Sequence, residues 1–460
     1  MNTRFNVSIK EGFAIYCGML NINRQSNDFF QNKEIWKKIA LLMGQTSNPF
    51  LEENGLPKEI MLTLEDRKDI QTLYYDGLIN CIYPDVKIRS SKSYQYTHHY
   101  TLPIDRKVKL LNSDNSPITN IEKIDFYILS KDQLIYAIET NLGGKTLEEI
   151  ALQNYIIRNV EYYQYGFDGK NINSEFLKLF IPIIEIHNHL NNERIPINDY
   201  SKQTLKEFAY TLFRGNKLKT YMALQLPSSP ALFADSYSID NLLYELATCH
   251  KSLGVMLNPN DNYYPDQKYY SQLIENNTVA CFSNWKGIVL LDSFVVLFQP
   301  NNGIGNKWRD YYFKYLYINA LCIRAFLVLM NEKYKRKDIT TSIEHEFLMF
   351  DKTFNFHTVS YSFLPDIIYK KIRYGLEIDE ELEELKSKIS SFSEKQDREN
   401  EKAMNIILFW LAILTLFSAF NDGLQLFTVP NIPYYIKIIL LCVLVSIITT
   451  CIWYKFRRRA

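Results

Sequence analysis

The residues best placed to do chemistry are few. His187-Asn-His189 repeats an imidazole at two residues, which on a strand puts both rings on one face. A zinc site needs a third ligand, and no acid or Cys stands at a diagnostic spacing from this pair. His345-Glu346 opens like a zincin motif, but Met349 replaces the second His. Gly144-Lys145-Thr146 ends like a phosphate-binding loop, yet the position of its first Gly is Glu139. A strand, a turn and a helix capped by Thr146 and Glu149 account for the same residues. Gly303-Ile-Gly305 lacks the third Gly of a dinucleotide fingerprint, and no Gly-x-Ser-x-Gly occurs. The remaining His are 98, 99, 250 and 357. Cysteines 17, 81, 249, 281, 322, 442 and 451 are scattered without a Cys-x-x-Cys, so they read as reduced and mostly buried thiols. No active-site motif results, and the chain is read as not an enzyme. Because catalytic groups converge in space, a membrane-anchored enzyme or binding module stays open as an alternative.

The elements that would carry these residues belong to a folded chain. Its 460 residues are 47% hydrophobic and 22% charged, which excludes general disorder. Lys and Arg number 52 against 51 acids, so there is no basic excess of the kind nucleic-acid binders show, and no direct DNA or RNA binding is expected. Segments 124–129 and 134–138 flank Ser130-Lys-Asp-Gln133 as a hairpin, and a helix follows from Leu147. A second hairpin is predicted with its tight turn at Lys286-Gly287. An aromatic helix is predicted from Trp308 to Lys335, and Pro365 marks a break in the material from Ser342 to Lys371. Tyr94 to Tyr100 alternates like a strand, and Asn112 to Pro117 reads as a loop or domain boundary.

Two segments lack charge: 403–421 and 438–454. About 20 apolar residues cross a bilayer core. Extending the second segment to Tyr434 gives it full length, with Tyr434, Tyr435, Trp453 and Tyr454 at its ends. Lys395, Arg398 and Lys402 precede the first segment, and Lys455, Arg457, Arg458 and Arg459 follow the second. The connector, Asp422 to Pro433, has no Lys or Arg. The positive-inside rule then places both termini in the cytosol of a multi-pass inner-membrane protein. No apolar signal core opens the chain.

Upstream, Ile378, Leu382, Leu385, Ile389 and Phe392 form a heptad stripe. No Pro or Gly interrupts Leu376 through Ala419, which predicts one helix of about 45 residues. The stripe serves either self-association or packing on the body. The acids Glu377, Asp379, Glu380, Glu381, Glu383 and Glu384 favour a helix N-terminus, or form a cation-attracting ring in an oligomer. The predicted divisions are 1–120, an N-terminal cytosolic region; 121–375, an α+β cytosolic domain; 376–402, a stalk helix; 403–427 and 434–454, transmembrane helices; and 455–460, a basic tail. The fold class is an α+β cytosolic body, a long stalk helix and a C-terminal two-helix transmembrane hairpin.

A long helix entering the membrane, a short outward loop and a returning helix with a basic tail resemble the CorA-like magnesium transporter family. Its Gly-Met-Asn motif falls here at Ala419-Phe420-Asn421, which shares the Asn. The resemblance implies five copies around a pore, with the mouth at Ala419, Phe420, Asn421 and Asp422. With Asn421 at the axis, helical spacing makes Phe417, Leu414 and Trp410 pore-lining. Divergent relatives include CRISPR-associated CorA-type membrane effectors of type III antiviral systems. That similarity implies an ion pore gated through the cytosolic body by a small nucleotide messenger of the S-adenosylmethionine-AMP type. A divalent-cation transporter is the alternative. No cofactor or resident metal is assigned, and the partners are the lipid bilayer and further copies of the chain.

Overall fold

A computed structural model describes residues 3–21, 29–30, 32–43, 57–83, 97–130, 133–159, 172–191, 218–228, 232, 237–300, 303–335, 341–428, 433–436, 438–439, 442–443 and 446. It divides into two units, Met1–Glu383 and Glu384–Ala460.

The first unit is a mixed α+β body on one nine-stranded sheet. The strands are β1 (Gly12–Asn21), β2 (Lys58–Glu59), β3 (His98–Lys109), β4 (Ile118–Ser130), β5 (Gln133–Asn141), β6 (Lys219–Gln225), β7 (Thr278–Val279), β8 (Trp285–Leu290) and β9 (Ser293–Phe298), ordered β2-β3-β4-β5-β1-β6-β9-β8-β7. All neighbours are antiparallel except β6 and β9. The described helices are α1 (Lys33–Leu42), α2 (Leu64–Gln71), α3 (Asp76–Ile82), α4 (Leu147–Arg158), α5 (Ser174–Lys178), α6 (Ile181–Asn191), α7 (Ile239–Ala247), α8 (Gln267–Asn277), α9 (Ile304–Lys335), α10 (Thr341–Phe354), α11 (Phe363–Gly375) and α12 (Ile378–Thr428).

Alternation along the strands feeds two cores. Tyr16, Tyr100, Phe126, Tyr136, Ile138, Met222 and Leu297 face one side, with Trp36 of α1, Ile150 of α4, Ile183 of α6 and Leu242 of α7. Their alternate neighbours face α9. Tyr221 packs its ring on Phe294, Phe313 and Tyr317 and donates its hydroxyl to the Trp308 carbonyl at 2.8 Å. Both faces are therefore covered, and β5 is buried along its length except at Asn141. Each fully buried Leu, Ile or Phe stabilises by about 1.5–3 kcal/mol relative to exposure.

Local chemistry sets several boundaries. Thr146 and Glu149 form a reciprocal capping box at the start of α4. Gly303, at φ 81°, enters α9, whose residues Trp308–Tyr317 are wound as a π-helix. The β4–β5 hairpin closes at Ser130↔Gln133. The second hairpin corrects the predicted turn. Lys286 and Gly287 lie inside β8, and the chain reverses at Leu291 and Asp292. A Cβ on Gly287 would sit tightly, 3.1 Å from the Phe294 ring and 3.3 Å from the Val295 carbonyl. Pro365 stands in the first turn of α11, where its missing N–H costs nothing. Residues 112–117 link β3 to β4 within one sheet, and position 120 lies inside β4, so 1–120 is not separate from the rest of the body.

The stalk and the first apolar segment form the single helix α12, which starts at Ile378 and runs past Asp422 to Thr428. Asp422, expected to open the connector, lies inside this helix. Residues 455–460, and most of 434–454, lie outside the described residues.

Candidate functional site

The sheet face beneath α9 carries a buried polar cluster drawn from three strands. Register assembles it: Thr101 of β3 stands opposite Asp125 of β4, and Lys123 of β4 opposite Glu139 of β5. A bulge between Ile121 and Lys123 re-aims β4 at this point. Lys123 Nζ lies 2.9 Å from Asp125 Oδ2 and 3.2 Å from Glu139 Oε2. His99 Nε2 is 3.3 Å from Asp125 Oδ1, and Thr101 donates its hydroxyl to the same oxygen. His99 Nδ1 and the Tyr83 hydroxyl are 2.9 Å apart, and the His99 ring stacks on Tyr127. From α9, Arg309 Nη1 reaches Glu139 Oε1 at 3.3 Å.

Burial and charge compete in this cluster. Burial opposes the Asp125 carboxylate, but Lys123, His99 and Thr101 outweigh it and hold the carboxyl well below the usual range. Burial also opposes the Lys123 ammonium, yet Asp125 and Glu139 keep it charged well above its ordinary value. Burial wins at His99, which is held neutral despite Asp125, and at Glu139, which is raised despite Lys123 and Arg309. Tyr83, His99 and Asp125 stand in a line, with a hydrogen bond between Tyr83 and His99 and a close approach of His99 Nε2 to Asp125, and all three are buried. The line can orient and store charge; it presents no exposed nucleophile.

Helix α9 connects this cluster to the base of α12. Ten residues beyond Arg309, buried Asn319 accepts from the Tyr369 hydroxyl of α11 at 2.5 Å and donates to the Phe354 carbonyl at 3.3 Å. Further on, Arg324 lies 2.6 Å from Glu381 in the first turns of α12. Arg373, near the end of α11 and 3% exposed, donates Nε to Asp379 at 3.0 Å and Nη1 to Asn355 at 2.8 Å. One helix therefore bonds to the polar cluster, to α11 and to the start of α12.

Two described helices are long and apolar enough to cross a membrane, and burial separates them. The apolar window of α9 is 78% buried in the body, as a core helix requires. The window within Ile378–Ala419 is 0% buried. Trp410, Leu414 and Phe417 are exposed at 60%, 63% and 68% and succeed one another at four and three residues along α12. Ala419 and Asp422 are exposed, whereas the side chains of Phe420 and Asn421 lie outside the described residues. In the heptad stripe, Ile378 and Leu382 are buried.

Other sequence candidates do not converge. His187 and His189 sit on helix α6, not on a strand, where two residues turn about 200° and separate the rings. Lys145 donates its ammonium to the Ile118 carbonyl, and Thr146 is occupied as a cap. Among the described residues no group of three His, Cys, Asp or Glu is placed to hold a metal. The cluster around Asp125 escapes sequence reasoning because its members come from separate segments. The one local signal is the spacing of two between His99 and Thr101 and between Lys123 and Asp125, which puts each pair on one face of its strand. No protein-family model, curated protein or solved structure matches the chain.

Proposed function

We propose that this chain is a non-enzymatic membrane effector: an ion pore built from several copies and governed by its cytosolic body. The carrying observation is α12, which runs without a break from ion pairs at Asp379 and Glu381 into an apolar stretch with no buried residue in its window. Apolar helix surface of that length, unburied in the single chain, calls for lipid or other copies of itself. The reading adds a returning helix over 434–454, both termini in the cytosol of the inner membrane, and a ring of copies, five by resemblance to the CorA-like family. A small nucleotide messenger acting on the body, in antiviral defence, is its proposed trigger. Gating needs a ligand that binds open and closed states unequally. The polar cluster joined to α12 through α9 supplies a route for that difference.

The test is the native mass of the detergent-solubilised chain, followed by ion flux from liposomes. A mass near five protomers with flux supports the pore. A monomer or dimer without flux overturns it and leaves the helices as an anchor.

A further inference from the structure

Between α11 and α12 the chain turns in two residues. Leu376 is nearly helical, with φ −87° and ψ 3°, and Glu377 is left-handed at φ 55°. Glu is a good right-handed helix former, and the left-handed region disfavours any residue with a Cβ. Helices that end this way normally place Gly at that position. Here Gly375 comes two residues early, committed instead to packing: a Cβ on it would lie 2.6 Å from the Val289 carbonyl oxygen and 2.6 Å from its Cγ1. No Pro lies between Pro365 and Pro430. Local preference therefore favours one continuous helix, while tertiary contacts hold a bend. Those contacts are Arg373 to Asp379, Arg324 to Glu381, and the buried side chains of Leu376 and Ile378.

We propose that Leu376–Glu377 is a two-state corner. In the bent state described, the two ion pairs and the buried apolar side chains outweigh the left-handed Glu377. When Arg324 or Arg373 is withdrawn, Glu377 returns to the right-handed region and α11 and α12 join into one helix from Phe363 to Thr428. Arg324 belongs to α9, so a displacement of that helix is the input, and the winding of residues 374–380 is the output. The corner deepens the pore reading by naming its regulated element, but its state is measurable whether or not the assembly conducts ions.

The experiment uses the full chain in lipid nanodiscs, with Cys281, Cys442 and Cys451 replaced by Ser and spin labels at K370C and E383C. A continuous helix separates the two Cα atoms by about 20 Å. The parent should show one distance population distinct from that value. The double variant Asp379→Asn, Glu381→Gln should add a resolved second population at the continuous-helix distance. Adding Glu377→Gly, which relieves the left-handed residue, should return the distribution to the bent one. A double variant indistinguishable from the parent overturns the proposal. So does a straight population that Glu377→Gly leaves in place. Glu377→Gly alone gives a readout independent of those variants: it should raise the melting temperature of the chain, and a fall means Glu377 is not strained. A corner that switches in a chain of monomeric mass and no flux retains this proposal and removes the pore.

Discussion

Arg309 and Glu139 meet at 3.3 Å although 170 residues separate them in sequence. The glutamate is 2% exposed at the centre of a charged cluster, and the arginine side chain is 31% exposed at its edge. The pair is one of the points at which α9 bonds to the sheet, Tyr221 to the Trp308 carbonyl being another. Arg309→Ala should cost about 1–3 kcal/mol, the penalty for leaving a buried partner less well satisfied, and denaturant unfolding of the full chain checks it.

Asp125 carries more. Replacing it with Asn breaks a buried ion pair and should cost about 3–5 kcal/mol in the same measurement. The carboxyl is held below its ordinary range in the folded chain. Its contribution is therefore complete above pH of about 4 and is lost as the pH falls through the depressed folded value. Asp125→Asn should flatten the stability curve on that acid side and leave the slope above it unchanged.

Glu185 on α6 predicts the opposite slope. Burial raises its carboxyl to about 7, only partly offset by Lys38. The folded state then binds this proton more tightly than the unfolded one, so stability is full below the ordinary Glu range and falls as the pH rises through 7. Melting temperatures between pH 5 and 8 should drop in the parent and stay level at this group's share in Glu185→Gln. An equal drop in both would remove Glu185 as the source.

Gly375 is a packing position. Because a Cβ would collide with backbone as well as side chain of Val289, Gly375→Ala should destabilise by about 1–3 kcal/mol. Gly303, where the surroundings are open, serves as the contrasting site: Ala there strains only the φ of 81°.

In the proposed pore, Asn421→Ala and Asp422→Ala should each change single-channel conductance if these residues line the mouth, and Phe417→Ala should raise the resting current if its ring forms an apolar constriction. Unchanged conductance in both Asn421→Ala and Asp422→Ala would overturn the mouth assignment.

Locality decides how much the sequence discloses. The β4–β5 hairpin, the Thr146–Glu149 cap and the unbroken helix through residue 419 depend on neighbours in the chain, and each is readable there. The misread turn is instructive. Lys286-Gly287 has the composition of a tight turn, but its glycine answers to Phe294 and Val295 across the strand pair. His187 and His189 mislead because their spacing is informative only once strand or helix is known. The charged cluster is illegible for a different reason: Tyr83, His99, Asp125, Glu139 and Arg309 become neighbours only after β3, β4 and β5 pair and α9 covers them.

The place of β1 at the middle of the sheet has a consequence for the order of assembly. Tyr16 pairs on one side with Ile138 and on the other with Thr220. During synthesis this early strand emerges with both edges unsatisfied, and its second edge waits for about two hundred further residues. Loop closure of that span is paid before the pairing returns anything, which makes folding slow. After β5 has paired with one edge of β1, the other edge therefore stays unpaired until β6 is made, and a chaperone that shields extended apolar segments should associate with the nascent chain until β6 has left the ribosome.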